Sequence, residues 1–401
     1  MFIKTLELKD YRNYEDLSMN FSQGVNILYG DNAQGKTNIL ESLYMCGTTK
    51  SHRNSKDREI IRFGKEESHI RILLENKGVP HKVDIHLKKN KAKGAAIDGI
   101  PIKKSSELLG IVNYVFFSPE DLSIIKNGPS ERRRFLDMEL CQLDKVYFYH
   151  LSSYHKIVNQ RNNLLKQISF NRKLLDTISV WDDQLVFHGI KVMEGRENFI
   201  RTLNPIVGSI HSNLSGKKES LAIHYEPNTD RNSFEQTIKK SLERDIVLKS
   251  TATGPHRDDI SFFNGTIDIR KFGSQGQQRT AALSLKLAEI EVVKRITKNQ
   301  PVLLLDDVLS ELDRKRQNYL LNSIHDIQTI ITCTGLEEMV QNRVQCDRIF
   351  KVIEGTVNNI NVNNIHVDDI DINSINVGDM SISGTNFDKE DFIQKETGGN
   401  V

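Results

Sequence analysis

Val25, Ile27 and Leu28 form a strand-like run that leads directly into the octad GDNAQGKT, Gly30 to Thr37, and a helical pattern begins at Gly35. A strand, a glycine-rich loop and a helix in that order satisfy GxxxxGK[ST] in the setting that gives the motif meaning, and they commit this part of the chain to an α/β architecture. The chemistry follows from the backbone. N–H groups of Gly30, Asp31, Asn32, Ala33, Gln34 and Gly35, with the helix N-terminus at Lys36, Thr37 and Asn38, make a cradle for phosphate oxygens. Lys36 reaches the β and γ phosphates, and the Thr37 hydroxyl ligates Mg²⁺. The expected ligands are therefore ATP and Mg²⁺.

A second motif, PVLLLDDVLSELD from Pro301 to Asp313, completes that chemistry. Its four apolar residues, Val302 to Leu305, read as a buried parallel strand that delivers Asp306 to the C-terminal edge of a sheet, where ligands lie in α/β folds. Asp306 is expected to hold Mg²⁺ through a water, and Asp307 to polarise the attacking water as general base. Alone, two acids after an apolar run could be a solvated loop; paired with the phosphate loop they gain a role. Nearly 270 residues separate the two motifs, so something large is inserted between them.

The segment FGSQGQQR, Phe272 to Arg279, stands 32 residues before Asp306 when counted from Ser274. It is similar to the signature loop of ABC-type ATPases, in which a Ser hydroxyl and Gly amides at a helix N-terminus bind the γ phosphate held by the opposite subunit. By that likeness Ser274, Gly276 and Gln277 bind nucleotide; in isolation the segment is a helix cap. Ser310 to Asp313 matches the loop that crosses the dimer interface in the same superfamily.

Taken together, "LELKDYRNY", GDNAQGKTN, "FFSPEDLSIIKNGPSERRRFLD" (Phe116 to Asp137), "TGPHRDD" (Thr253 to Asp259), the signature loop and "LLLDDVLSELD" resemble the RecF family, recombination-repair ATPases of bacteria related to SMC heads. The resemblance runs from Met1 to about Ile353. It implies an ABC-type, SMC-like ATPase head of class α/β with mixed sheets, plus an inserted helical lobe. It further implies that Arg12 and Asn13 lie near the nucleotide and that Ser118 to Leu122 stands where such proteins keep their Q-loop. An ATP-dependent homodimer would grip duplex DNA and single-strand gap junctions, with slow, weakly DNA-stimulated hydrolysis as the release switch. RecO and RecR are the implied partners in loading RecA. Asp307 stands where many ABC-type enzymes carry Glu. Family members usually have Gly where this chain has Asn127, which suggests a left-handed turn.

The patterning divides the chain into a head segment at 1–118, a helical lobe or paired arms at 119–213, a second head segment at 214–354, and a tail at 355–401. The runs "SHIRILLE", "HKVDIHLK" and "VNYVFF" alternate and are expected to form an antiparallel sheet beside the first strands. The tail carries eight acids against two lysines, a net −6, which leaves +8 on residues 1–354. A basic body suits a polyanionic partner. Residues 360–384 fall into five pentads, INVNN, IHVDD, IDINS, INVGD and MSISG; they fit a flexible Asn/Asp-rich extension better than a β-helix, for which five pentads barely complete one coil.

Four cysteines stand far apart without a CxxC pair and read as buried thiols. The charged N-terminus and the lack of any long apolar stretch point to a cytoplasmic protein with no membrane role. Arg132, Arg133 and Arg134 point in different directions on a helix and suit either salt bridging or DNA contact. His256 to Asp259 suits a structural or interface role better than a metal site. Two other readings remain at this level: an ABC transport ATPase subunit, disfavoured because Thr332, Cys333 and Thr334 stand where a switch His is expected, and an SMC-like ATPase coupled to a nuclease in phage defence.

Overall fold

The computed structural model describes residues 1–336 and 346–360. β1 (Phe2–Tyr11) and β2 (Tyr14–Asn20) form a hairpin, and β3 (Val25–Tyr29), buried at all five positions, leaves it for another sheet. After α1 (Lys36–Thr48) and the single turn α2 (Asp57–Ile60), the chain returns through β4 (Glu67–Asn76), β5 (Val79–Lys88), β6 (Lys91–Ile97) and β7 (Ile100–Pro101). These complete an antiparallel sheet of order β2-β1-β4-β5-β6-β7. β4 shows why: Ser68, Ile70, Ile72 and Leu74 are buried while Glu67, His69 and Arg71 face outward, the period-two signature of a sheet with one wet face.

β8 (Tyr114–Phe117) corrects the sequence expectation. It does not extend the antiparallel sheet but pairs in parallel with β12 (Val302–Asp306). All four of its residues are buried, so no alternation separates one face from the other; a strand of that kind belongs inside a parallel sheet.

α3 (Leu122–Lys126) and α4 (Pro129–Leu143) lead into α5 (Lys145–Ile168), whose cap Asp144 accepts the N–H groups of Val146 at 2.7 Å and Tyr147 at 3.1 Å. α6 (Ile178–Leu214) returns antiparallel, so that the start of α5 faces Arg196 and its end faces Asp182. At 1.5 Å per residue the two helices are about 36 Å and about 56 Å long. β9 (Ala222–Glu226), α7 (Phe234–Leu248), β10 (Asp259–Asn264), β11 (Ile267–Asp268), α8 (Ile269–Phe272) and α9 (Gln275–Thr297) follow. Tyr154, Val192 and Leu203 of the helical pair share one core with Ile223, Phe234, Ile260 and Leu285. Residues 119–213 therefore do not close a core of their own, and the lobe draws its other half from 214–297.

The second half of the head runs through α10 (Arg314–Ser323), β13 (Thr329–Cys333), β14 (Arg348–Ile353) and β15 (Thr356–Ile360). The central sheet has the order β15-β14-β3-β13-β12-β8 and is parallel except at β15. One of its faces packs Leu28, Leu304 and Ile330 with α1 and the antiparallel sheet, and the other packs Ile27, Leu303 and Ile331 with α9 and α10. α9 is buried on two sides, placing Leu285 in the lobe core and Leu283 and Leu287 under the central sheet.

The head ends later than residue 354, which lies in the turn of the β14–β15 hairpin. An edge strand tolerates Asn358 and Asn359 because one side of it meets solvent, which hid it inside the Asn-rich composition. Apart from Ile360, the pentads lie outside the described residues. Asn127 is extended at φ −83, not left-handed. All four cysteines are free; Cys46 and Cys333 are buried, whereas Cys141 and Cys346 are partly exposed. Among the described residues no helix is long and apolar enough to cross a membrane.

Candidate functional site

The loop after β3 is held open by what surrounds its glycines. A Cβ on Gly30 (φ +148) would stand 2.3 Å from the Val352 carbonyl oxygen, and one on Gly35 (φ +115) would meet the side chains of Asn13 and Tyr14 at 2.5–2.8 Å. Gln34 fastens the loop from behind: its carbonyl accepts Asn13 Nδ2 at 2.9 Å, and its Oε1 accepts the Glu354 N–H at 2.6 Å. The turns of two hairpins, β1–β2 and β14–β15, thus buttress the loop. Asn13 shapes it rather than lining its open side.

Lys36 begins α1 and is only 7% exposed. Its Nζ donates to the carbonyls of Gly30 at 2.5 Å and Asp31 at 2.8 Å. Burial lowers its pKa, while Asp307, Asp306 and other neighbouring groups oppose that shift. Across the cleft, Thr37 Oγ1 donates to Asp306 Oδ1 at 2.8 Å, uniting residues from the two motifs. Asp306 carries a pKa raised by burial, with the hydrogen bonds from Thr37 and Thr332 acting against the rise. Asp307 follows in a left-handed conformation, φ 52, that turns the chain out of the strand and places it on the cleft wall.

The resulting cleft has a volume of about 390 Å³. It brings together Asn32, Ala33, Gly35, Lys36, Thr37, Asn38, Asp306 and Asp307. Gly30, Asp31 and Gln34 form the back of the loop. Arg12 is committed elsewhere: its Nε and Nη2 bind the Glu41 carboxylate at 2.8 and 2.7 Å, and it also donates to the Glu59 carbonyl and Ser55. That ion pair fastens the β1–β2 turn to α1, and Arg12 does not line the cleft.

Ser274, Gly276 and Gln277 are absent from the cleft as well. Ser274 caps α9 through a reciprocal pair, its Oγ accepting Gln277 N–H at 3.2 Å while its own N–H donates to Gln277 Oε1 at 2.9 Å. Ser274 and Gly276 are exposed, and the Gly276 carbonyl accepts Arg316 Nη2. Within one chain the signature segment is therefore a well-formed cap on an open surface.

Residues outside the motifs complete the cleft. Ser118, Pro119 and Glu120 line it, consistent with the position expected of the Q-loop, and so do His52, Arg53 and Thr332. His52 stacks on Phe116 at 4.1 Å, and burial pushes its pKa down to about 4, so it is neutral at pH 7. Thr332 occupies the place where sequence comparison sought a His. Nothing in the order of residues marks His52 or Arg53, which reach the cleft only because the chain folds back after α1.

The other clusters are structural. Arg132 pairs with Asp259 at 2.6 Å, Arg133 donates to the Asp258 carbonyl at 2.7 Å, and Arg134 donates to the His52 carbonyl. His256 bonds Tyr154 and the Thr251 carbonyl, and Asp258 is buried against Arg196 and Tyr225.

The residues present fit a magnesium nucleotide. Nδ1 of His52, a residue of the cleft wall, is buried without a protein partner, and a partly buried carboxylate faces a threonine hydroxyl at the head of a helix.

Residues 2–358 match the model of the RecF/RecN/SMC N-terminal domain. The chain is 64% identical over 357 residues to the DNA replication and repair protein RecF of Lachnoclostridium phytofermentans, covering 89% of this chain and 99% of that one. It is 44% identical to the protein of the same name from Clostridium novyi, covering 89% and 100%. A solved structure of the recombination mediator protein RecF-ATP in the RecFOR pathway superposes with a TM-score of 0.84 at 35% identity, covering 90% of this chain and 98% of that one. An Smc head domain from Pyrococcus furiosus, with an extended coiled coil and bound to the C-terminal domain of ScpA, shares the fold at 17% identity, a TM-score of 0.53, and coverage of 90% and 96%.

Proposed function

The chain belongs to the RecF family of the RecF/RecN/SMC N-terminal domain group, and from that premise we propose that it is a DNA replication and repair ATPase whose ATP-bound dimer clamps DNA. One observation carries the reading: Lys36, Thr37, Asp306 and Asp307 stand around one cleft, whereas Ser274 and Gly276 stand on an exposed surface outside it. An ATPase of this kind needs both halves at the γ phosphate. Two chains that each supply one half make two complete sites, and ATP is the bond between them.

Lys36 would exchange its carbonyl partners for phosphate oxygens, with the loop N–H groups fixing the β phosphate. Thr37 and Asp306 would hold Mg²⁺, which would supply charge neutralisation of the phosphates. Asp307 takes a proton from the attacking water, and Thr332 sets its position through the backbone N–H. The shorter Asp, where many ABC-type enzymes carry Glu, favours slow turnover and therefore a long-lived closed state. Closure on ATP brings two DNA-binding surfaces to one duplex; hydrolysis releases them. RecO and RecR are the proposed partners at single-strand gaps, where the assembly would assist RecA loading. Equilibrium binding of a labelled duplex with and without ATP, at several salt concentrations, tests the reading: ATP should strengthen binding, and identical affinity in both conditions would refute the clamp.

A further inference from the structure

Two short segments account for the entire positive charge of the body. Residues 50–65 hold six Lys or Arg against Asp57 and Glu59, a net +4, and residues 88–93 hold four Lys and no acid, another +4. Since residues 1–354 carry +8, everything else in them is neutral in sum.

The fold places the two segments side by side. Lys93 Nζ donates to the Thr49 carbonyl at 2.5 Å and to Asp57 at 3.0 Å, and the Lys89 N–H donates to the Glu66 carbonyl at 3.0 Å. Some of these cations are spoken for: Arg62 and Lys65 face Asp10, Lys89 faces Glu66, and Lys93 neutralises Asp57. Lys50, Arg53, Lys56, Arg58 and Lys91 are exposed and carry no ion pair among the described residues. Arg53 also lines the nucleotide cleft, where its Nη1 donates to Asn38 Oδ1 at 3.3 Å.

We infer that this strip, from Arg53 at the cleft past α2 to Lys91 at the β5–β6 turn, is the surface that meets the phosphate backbone of duplex DNA. The inference rests on the DNA-clamp reading and assigns residues to it. Unpaired like charges held together on a rigid edge repel one another, and a polyanion relieves that repulsion. Phe63 is the one fully exposed ring beside the strip, so the surface lacks the successive aromatic platforms that single strands stack on. Backbone contacts alone suit a duplex of any sequence. Because Arg53 belongs to both surfaces, the strip starts where ATP binds.

The test is a variant carrying Lys50→Gln, Lys56→Gln, Arg58→Gln and Lys91→Gln, leaving Arg53 in place. Binding of a fluorescein-labelled random-sequence duplex is measured by anisotropy with ATP across a salt series. A control variant, Lys166→Gln, Lys173→Gln, Lys239→Gln and Lys240→Gln, removes the same charge from the far helical lobe. Each lost phosphate contact lowers the slope of log K against log salt by about 0.9, so the strip variant should lose about 3 to 4 in slope per chain, or about 7 for the ATP-bound dimer with both strips on one duplex. ATP affinity should be unchanged, and the control should bind DNA as wild type does. An unaltered slope in the strip variant, beside ATP-strengthened binding by wild type, would overturn the strip and leave the clamp standing. Equal losses in both variants would reduce the effect to net charge, and displacement of the duplex by poly-glutamate at matched charge would overturn DNA as the partner. Failure of wild type to bind DNA at all would refute strip and clamp together.

Discussion

The Thr332 hydroxyl donates to Asp306 Oδ1 at 2.8 Å while its oxygen accepts the Asp307 N–H at 3.0 Å, so one side chain of β13 sets both the last residue of β12 and the acid that follows it. Thr332 is itself 1% exposed. Thr332→Val keeps the shape and removes both bonds. We expect ATP affinity to stay within a few-fold and turnover to fall by about 10- to 100-fold, the usual cost of losing a partner that orients a ligand. Thr332→Ser should restore most of the rate. Equal losses in both variants would mean that Thr332 only packs.

Lys36 is buried on carbonyls that phosphate oxygens would replace. Lys36→Ala should weaken ATP binding by about 100-fold or more, as expected when a charged donor is lost from a desolvated site. Lys36→Arg, which keeps the charge with a different geometry, should bind ATP and fail to turn it over. Tight ATP binding by Lys36→Ala in a calorimetric titration would remove Lys36 from the site.

Asp307 is assigned the proton-accepting role. Asp307→Asn keeps the side-chain size and loses the base, so hydrolysis should drop at least about 100-fold while the ATP-bound dimer accumulates. Wild-type rates in this variant would move the base to another residue, with Glu120 on the opposite wall the first to examine.

Lys286 of α9 donates to Glu289 at 2.5 Å and faces Glu139 of α4 and Asp121 of segment 118–122. Burial raises the pKa of all three acids, Asp121 to about 6, and Lys286 opposes the rise. An acid whose folded pKa is raised keeps its proton after the unfolded chain has lost its own, so its contribution to stability is full below about pH 4 and is lost as pH rises through the folded value. Glu139→Gln removes one such acid. Its unfolding midpoint should therefore rise relative to wild type as pH goes from 5 to 8. A difference that does not change with pH would contradict the assignment. Lys286→Met should destabilise the protein by about 3–5 kcal/mol, because it leaves buried acids without their cation.

How much of this was legible in the sequence depended on whether the deciding contact was local. The phosphate loop, α1, β12 and the Ser274 cap could be read because a pattern of a few consecutive residues marks each of them, even where distant residues such as Val352 and Glu354 hold it in place. β8 is assigned to the wrong sheet from sequence, since a run buried on every side carries no periodicity to tell a parallel strand from its alternatives. Arg132, Arg133 and Arg134 left two readings open because the partners that decide between them, Asp259, the Asp258 carbonyl and the His52 carbonyl, lie more than 80 residues away. Arg12 was drawn to the nucleotide by likeness, but Glu41 stands on the facing side of α1 and takes it. Thr332 was noticed only for not being histidine; its hydroxyl gained meaning when β12 and β13 were seen as neighbours in register, Asp306 opposite Thr332.

Solution mass by light scattering at saturating ATP tests the central claim most directly, because it asks whether the exposed Ser274 surface of one chain closes on the Lys36 cleft of another. Wild type should shift from one chain mass to two on adding ATP. Ser274→Arg, which sets a bulky cation at the interface, should bind ATP with the affinity of the wild-type monomer and remain a single chain. Ser274→Asp retains a side chain able to cap α9 but repels the phosphate, so it should also stay single and separates loss of the cap from loss of the contact. A wild-type chain that remains monomeric at saturating ATP, or Ser274 variants that dimerise as well as wild type, would contradict the composite site.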